Sequence, residues 1–278
     1  MKKEIERFAR LFRGLNRAYG ALDITTKDAR GKQKGIYKFV HEPRTTATYA
    51  SHLKGEVSIG VVPINEDDAC LWGAIDIDQY PLDHSEVLKR LSRLELPLVV
   101  CRSKSGGAHL YLFFKEFVEA EKVQLKLKEI AAEIGYGGCE IFPKQIKLVL
   151  ERGDNGNFLN LPYFDHEGGL RYAFNKDGSA ATIAEFLDQA EASAITEDQL
   201  EGLLSKSVPV VDDKLKDGPP CLQALLRQGF PEGTRNNGLF NLGVYLRKAY
   251  PDDWETKILD YNQTIMEPAL DLKEVNIV

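Results

Sequence analysis

Residues 69 to 78 read Ala69-Cys70-Leu71-Trp72-Gly73-Ala74-Ile75-Asp76-Ile77-Asp78. Seven apolar or small positions run into two aspartates spaced one residue apart. Alternate side chains of a strand project to the same face. Ile75 and Ile77 are therefore expected to face the core, and Asp76 and Asp78 to face out together. Two carboxylates that close repel one another. A divalent cation relieves that repulsion, and hard carboxylate oxygens suit Mg²⁺ or Mn²⁺. A D-x-D pair also occurs at unremarkable strand ends and in glycosyltransferases, so its neighbours must decide what it does.

The neighbours read as strands and helices in mixed order. VSIGVVP precedes the D-x-D strand. A helix is expected around 84–94, then PLVVC, the loop RSKSGG, and the strand AHLYLFF. An amphipathic helix follows over 119–134, with Val123, Leu127, Ile130 and Ile134 on one face. GCEIF, IKLVL and FLNLP read as three further short strands, and TTKDARGKQKG (25–35) as a basic loop. Near the N-terminus, Ile5, Phe8, Phe12, Leu15 and Tyr19 fall at helical spacing, and a short helix is expected over 46–53. Hairpins mixed with crossovers indicate an α+β or mixed α/β core. The sequence divides into a catalytic domain over 1–190, an acidic linker over 191–217 and an all-helical module over 218–278. In that module Thr234 is positioned to cap one helix, and Asp252 and Asp253 to open another.

Two more segments carry chemistry. Cys101 to His109 reads CRSKSGGAH. Gly106 and Gly107 let backbone N–H groups approach an anion. Ser103, Lys104 and Ser105 add donors, and His109 opens the next strand. The plainer reading is a hairpin turn with a structural histidine. Downstream, Glu140 begins EIFPKQ, followed by GNFLNLP from Gly156. A glutamate inside the apolar GCEIF stretch must be paired, metal-bound or exposed at a strand end.

In this order the segments resemble the archaeo-eukaryotic primase superfamily, in its phage and mobile-element primase-polymerase branch. The D-x-D strand, the SGGAH motif ending at His109 and the later acid Glu140 correspond, and EIFPKQ with G-N-x-x-x-L-P is the most specific match. The resemblance covers roughly residues 50 to 165. Gly107 stands where a serine is more usual, which puts phosphate binding by Ser105 in doubt. Glu140 stands where many members have aspartate.

The resemblance implies an RRM-like catalytic sheet and two-metal nucleotidyl transfer. Asp76, Asp78 and Glu140 would hold Mg²⁺ or Mn²⁺. Ser103, Lys104, Ser105, Gly106, Gly107, His109 and Lys144 would bind the nucleoside triphosphate. A single-stranded DNA template would meet Lys32, Lys34, Lys38, Arg44, Asn157, Arg235 and Asn236. The segment EGTRNNGLF (232–240) is similar to the helical module of such primases. A primer-extending repair polymerase, a D-x-D glycosyltransferase and a catalytically inert DNA-binding adaptor are the competing readings. The last two leave SGGAH and EIFPKQ, or the three intact acids, unexplained.

Charge does not oppose a nucleic-acid partner. The net charge is −6, but residues 185–217 alone carry nine acidic and three basic side chains. Residues 27–44 carry six basic and two acidic ones, and residues 89–104 five and one. Such patches can steer a polyanion. The four cysteines, Cys70, Cys101, Cys139 and Cys221, form no C-x-x-C pair, so no zinc site is expected. No apolar run approaches a membrane span, and no export signal opens the chain. A cytoplasmic protein with reduced thiols is expected. The ending EVNIV suggests a longer natural protein, with a replicative helicase as a further partner.

Overall fold

The computed structural model describes residues 1–27, 33–204, 215, 218–220, 222–223, 235–266, 269–271 and 275. Lys32, Cys221, Leu225, Leu226, Thr234 and most of the 205–217 stretch lie outside them, as does the Lys34 side chain. The chain divides into two compact units. The first is Met1–Lys128 with Cys139–Ser207, and the second is Glu129–Gly138 with Val208–Val278.

The first unit is α+β and contains two four-stranded sheets. One sheet and its helices comprise β4 (Ala69–Ile77), α3 (His84–Arg93), β5 (Val99–Arg102), β6 (Ala108–Glu119), α4 (Ala120–Glu133) and β7 (Glu140–Phe142). The strand order is β5-β6-β4-β7, and each neighbouring pair is antiparallel. This is a split βαββαβ arrangement, the RRM-like topology. Asp83 starts α3 by accepting from the backbone N–H groups of Ser85 and Glu86. α4 lays Val123 and Leu127 over Gly73 on one face of the sheet. By alternation Ile75 and Ile77 share that helix-covered face.

The other sheet runs in the order β2-β1-β3-β8. Its strands are β1 (Tyr19–Lys27), β2 (Gln33–Val40), β3 (Ile59–Val61) and β8 (Leu159–Asn160). Around it lie α1 (Lys2–Leu11), α2 (Thr46–Leu53) and α5 (Ile183–Ser193), and α6 (Glu197–Gly202) follows. Between the sheets sits an apolar core that includes Phe8, Phe12, Trp72, Tyr111, Phe113, Leu159, Leu161 and Phe186. Burying each phenylalanine stabilises by about 1.5–3 kcal/mol. Thr182 and Glu185 close a capping box on α5, and Arg7 of α1 pairs with Asp188 and Glu191 of α5.

Five expectations change. Residues 25–35 are not all loop, because β1 and β2 extend into them from either side. IKLVL is not a strand: Leu148 turns inward, its N–H donates to the Asp68 carboxylate at 2.8 Å, and a 3₁₀ turn follows at Leu150–Arg152. The first helix ends at Leu11, before Leu15 and Tyr19. The start of the expected acidic linker is structured, since Ile195 exchanges backbone hydrogen bonds with Phe113 and Lys115 and α6 follows. Finally, Asp76 does not face open solvent. Both faces of β4 are covered, and Asp76 continues the buried row of Trp72 and Ala74.

The second unit takes in the end of α4 and contains α7 (Arg235–Ala249) and α8 (Trp254–Ile265). Leu239, Leu242, Leu246, Ile258, Tyr261 and Met266 belong to its core. The buried Asn262 amide bonds both the carbonyl and the N–H of Leu270.

Candidate active site

Register sets the site. Cys101 on β5 lies opposite His109 on β6, His109 opposite Asp76 on β4, and Asp76 opposite Glu140 on β7. Residues directly opposite share a face. One row therefore crosses all four strands. The row behind it, Val99–Tyr111–Ala74–Phe142, is buried core. The His109–Asp76–Glu140 row is thus the first polar row where the core ends.

Its exposure is graded. The side chains of His109 and Asp76 are 11% and 13% exposed, and that of Glu140 is 59%. Burial raises the Asp76 pKa to about 7, with Asp78 and Glu140 adding to the rise and Lys144 opposing it. Burial first, and then the charge of Arg171, lower the His109 pKa to about 4. Arg171 is itself buried and donates to the Ser58 hydroxyl at 2.9 Å.

Tyr111 couples to this pair. Its hydroxyl donates to the Asn160 carbonyl at 3.3 Å and lies 3.1 Å from Nδ1 of His109. With that proton given to Asn160, the phenolic oxygen accepts from Nδ1–H. Nε2 then presents a lone pair to Asp76 Oδ1, 3.4 Å away. Two lone pairs cannot face each other comfortably, so a proton or cation belongs on the Asp76 side. When Asp76 is ionised, the tautomer with Nε2–H is favoured instead, with Tyr111 donating to Nδ1.

The loop after β5 is a tight hairpin. Ser103 N–H donates to the Gly107 carbonyl at 2.9 Å, and Gly106 N–H to the Ser103 carbonyl at 3.2 Å. A methyl group on Gly107 would stand 2.1 Å from the Ile77 carbonyl oxygen. Gly107 is therefore required for the loop to lie against the end of the D-x-D strand. Gly106 has φ +99°. Lys104 and Ser105 are exposed, and Ser103 is buried with no hydrogen-bond partner for its hydroxyl.

The three acids do not converge as expected. The Tyr80 hydroxyl donates to Asp78 at 2.6 Å, and Lys144 draws Glu140 to 2.7 Å. Among the described residues no three His, Cys, Asp or Glu side chains gather at one point. A divalent ion nevertheless fits the chemistry here. Asp76 Oδ1 is shielded and has no hydrogen-bond partner, and the neighbouring carboxylates raise its proton affinity. A cation would relieve both.

The expected template residues scatter. Arg44 is committed to the fold: its guanidinium donates to the Tyr49 hydroxyl and to the carbonyls of Leu15 and Ala18. Lys38 and Asn157 are exposed, and Asn157 is bonded to Gln145. Arg235 opens α7, with Asn236 and Asn237 exposed beside it. Three site residues escaped the sequence reading: Tyr80, Tyr111 and Asn160. Asn160 left the clearest trace, as the lone polar residue within the apolar stretch FLNLP.

Residues 23–200 match the archaeo-eukaryotic primase domain of TOTE conflict systems. The chain belongs to this family. The chain is also similar to solved structures. Primase RepB′ is 13% identical, with 99% of this chain and 84% of that chain covered and a TM-score of 0.37. The primase-polymerase domain of cyanophage S-2L is 14% identical, with 68% and 98% covered and a TM-score of 0.38. The catalytic domain of RepB′ in complex with initiator DNA is 11% identical, with 72% and 95% covered and a TM-score of 0.35. No curated protein matches the chain. The family assignment rests on the match over 23–200, which makes this a primase-like nucleotidyltransferase domain. No described helix is long and apolar enough to cross a membrane.

Proposed function

We propose that this primase domain synthesises primers on single-stranded DNA and extends them from nucleoside triphosphates, using Mg²⁺ or Mn²⁺. The observation that carries this reading is the row His109–Asp76–Glu140, with its half-buried, unpartnered carboxylate oxygen beside a tight polar loop. Asp76, Asp78 and Glu140 would hold the divalent ions, which would supply charge neutralisation at the reacting phosphate and the attacking hydroxyl.

The chain's own groups do the rest. Lys104 and Ser105 offer exposed donors to a triphosphate, and Ser103 an unused hydroxyl. Lys144 stands beside the acid row and neutralises polyanion charge once Glu140 releases it. His109, held by Tyr111, positions a phosphate oxygen when Nε2 carries its proton. Acceleration of this kind comes from placement and fixed charge, without a covalent intermediate.

The test is synthesis on unprimed and on primed single-stranded DNA, with each nucleotide set and each metal. Wild type is expected to give product on both. Asp76→Ala, Asp78→Ala and Glu140→Ala are each expected to lower synthesis about a hundredfold or more. Absence of wild-type product on both templates with both metals rejects the reading.

A further inference from the structure

The face of the β2-β1-β3-β8 sheet turned away from the core carries aromatic rings on a glycine floor. Phe39 lies opposite Gly20, Gly20 opposite Gly60, and Gly60 opposite Asn160. These residues share one face, while Ile59, Val61 and Leu159 enter the core on the other. The Phe158 ring lies across both glycines. A methyl group on Gly20 or Gly60 would come within 2.6 or 2.4 Å of its carbons. Phe39 meets Phe158 edge-on, with centroids 5.2 Å apart and planes at 80°, and His41 stacks on Phe39 at 6.2 Å. Phe39 and Phe158 are half-buried and His41 is exposed. At the end of the row, Asn160 Oδ1 is shielded and has no hydrogen-bond partner.

This face adjoins the candidate site by two routes. Asn157, next to Phe158, donates its N–H to Gln145 at 3.0 Å, and Gln145 follows Lys144, the partner of Glu140. The Asn160 carbonyl accepts from Tyr111, the neighbour of His109. The strand bearing Phe39 lies within a basic stretch of the chain, residues 27–44, with six basic and two acidic side chains. Half-buried rings, an unused amide acceptor and local positive charge match a ligand with flat bases and a phosphate backbone. Its bases must be free to stack, so the strand is single.

We propose that Phe158 and Phe39 form a stacking platform for the bases of the single-stranded template beside the catalytic row. It rests on the template-dependent reading above and adds to it the residues that grip the bases. Such stacking is tolerant of sequence, because every base has a π-face.

The experiment compares binding of a short oligodeoxythymidylate with that of the same strand made abasic, by fluorescence anisotropy on the whole protein. Wild type is expected to prefer the natural strand by about five- to 150-fold, the range for one stacked base. Phe158→Leu fills the space over the glycines without a π-face and is expected to erase that preference. Phe158→Tyr is expected to restore it, and Phe39→Leu to reduce it. Equal wild-type binding of both strands overturns the platform, and so does an unchanged preference in Phe158→Leu. A change in sedimentation of the free protein on Phe158→Leu assigns the face to a second copy of this chain and also overturns it. Synthesis assays separate the two readings. Template-dependent product with no base preference sinks the platform alone, and base preference without any product sinks the polymerase reading alone.

Discussion

Asp76 is a carboxylate that the fold favours in its protonated form. Its pKa rises from 3.8 to about 7 through burial and through Asp78 and Glu140. Below pH 4 the folded and unfolded chains both hold the proton, and Asp76 has no effect on stability. Between pH 4 and pH 7 the unfolded chain has released the proton while the folded chain keeps it, so stability falls as pH rises, by at most about 1.4 kcal/mol per pH unit. Above pH 7 the loss is complete. Asp76→Asn removes this term. Without divalent ions its urea midpoint is expected to match wild type near pH 4 and to exceed it increasingly up to pH 7. Added Mg²⁺ is expected to raise the wild type but not the variant. A constant difference between the two across that range would mean that the carboxylate is not desolvated. The same proton sets the His109 tautomer across the 3.4 Å contact between Asp76 and Nε2, so metal loading and the tautomer change together.

The β5–β6 loop and the end of β4 behave as one element. Gly107 lies against the Ile77 carbonyl, where any side chain collides with backbone, whereas a methyl group on Gly106 would meet only the Arg102 guanidinium at an ordinary 3.5 Å, and its φ is positive. Gly106→Ala is expected to cost about 1 kcal/mol in backbone strain. Gly107→Ala must push the loop off the D-x-D strand. It is expected to lower the melting temperature further and to raise the nucleotide KM about tenfold or more. Thermal unfolding and steady-state kinetics on both variants check this, and equal effects would show that the loop's contact with β4 is dispensable. Much of this element was legible in the sequence, because period-two alternation into Asp76 and Asp78, and a glycine pair before His109, are local signals. The β1–β2 hairpin was less legible. Its charged residues, Lys27, Lys34 and Lys38 among them, interrupt the apolar alternation. IKLVL misled in the opposite direction: its apolar run suggests a strand, but Leu148 bonds the Asp68 side chain rather than a neighbouring strand. Tyr111 and Asn160 became site residues only through pairing between distant strands, which no local pattern encodes. The template residues were the least legible, since a basic side chain in a sequence does not reveal whether it is free, as Arg44 shows.

At the scale of the whole molecule there are two compact units, each with its own apolar core. The candidate chemistry lies wholly in the first. We propose that the second serves initiation. Starting a chain requires two free nucleotides and a template to be held together without a paired primer to supply binding energy, so it needs contacts that extension does not. The second unit has suitable groups at the start of α7, where Arg235, Asn236 and Asn237 stand at the positive end of a 15-residue helix. A phosphate there gains charge-assisted hydrogen bonds, each in the range of about 1.5–3 kcal/mol. The combined variant Arg235→Ala, Asn236→Ala and Asn237→Ala leaves the core leucines Leu239, Leu242 and Leu246 in place, so its fold should persist, as thermal unfolding can check. It is expected to initiate about tenfold or more slowly on bare single-stranded DNA. Extension of an annealed primer should stay within about twofold, since a base-paired end replaces the lost contacts. The measurement is the ratio of unprimed to primed synthesis at matched template concentration. A ratio unchanged from wild type would leave the helical unit a structural part and require initiation to be carried out within the first unit alone, by the loop at Ser103–Gly107 and the row it adjoins.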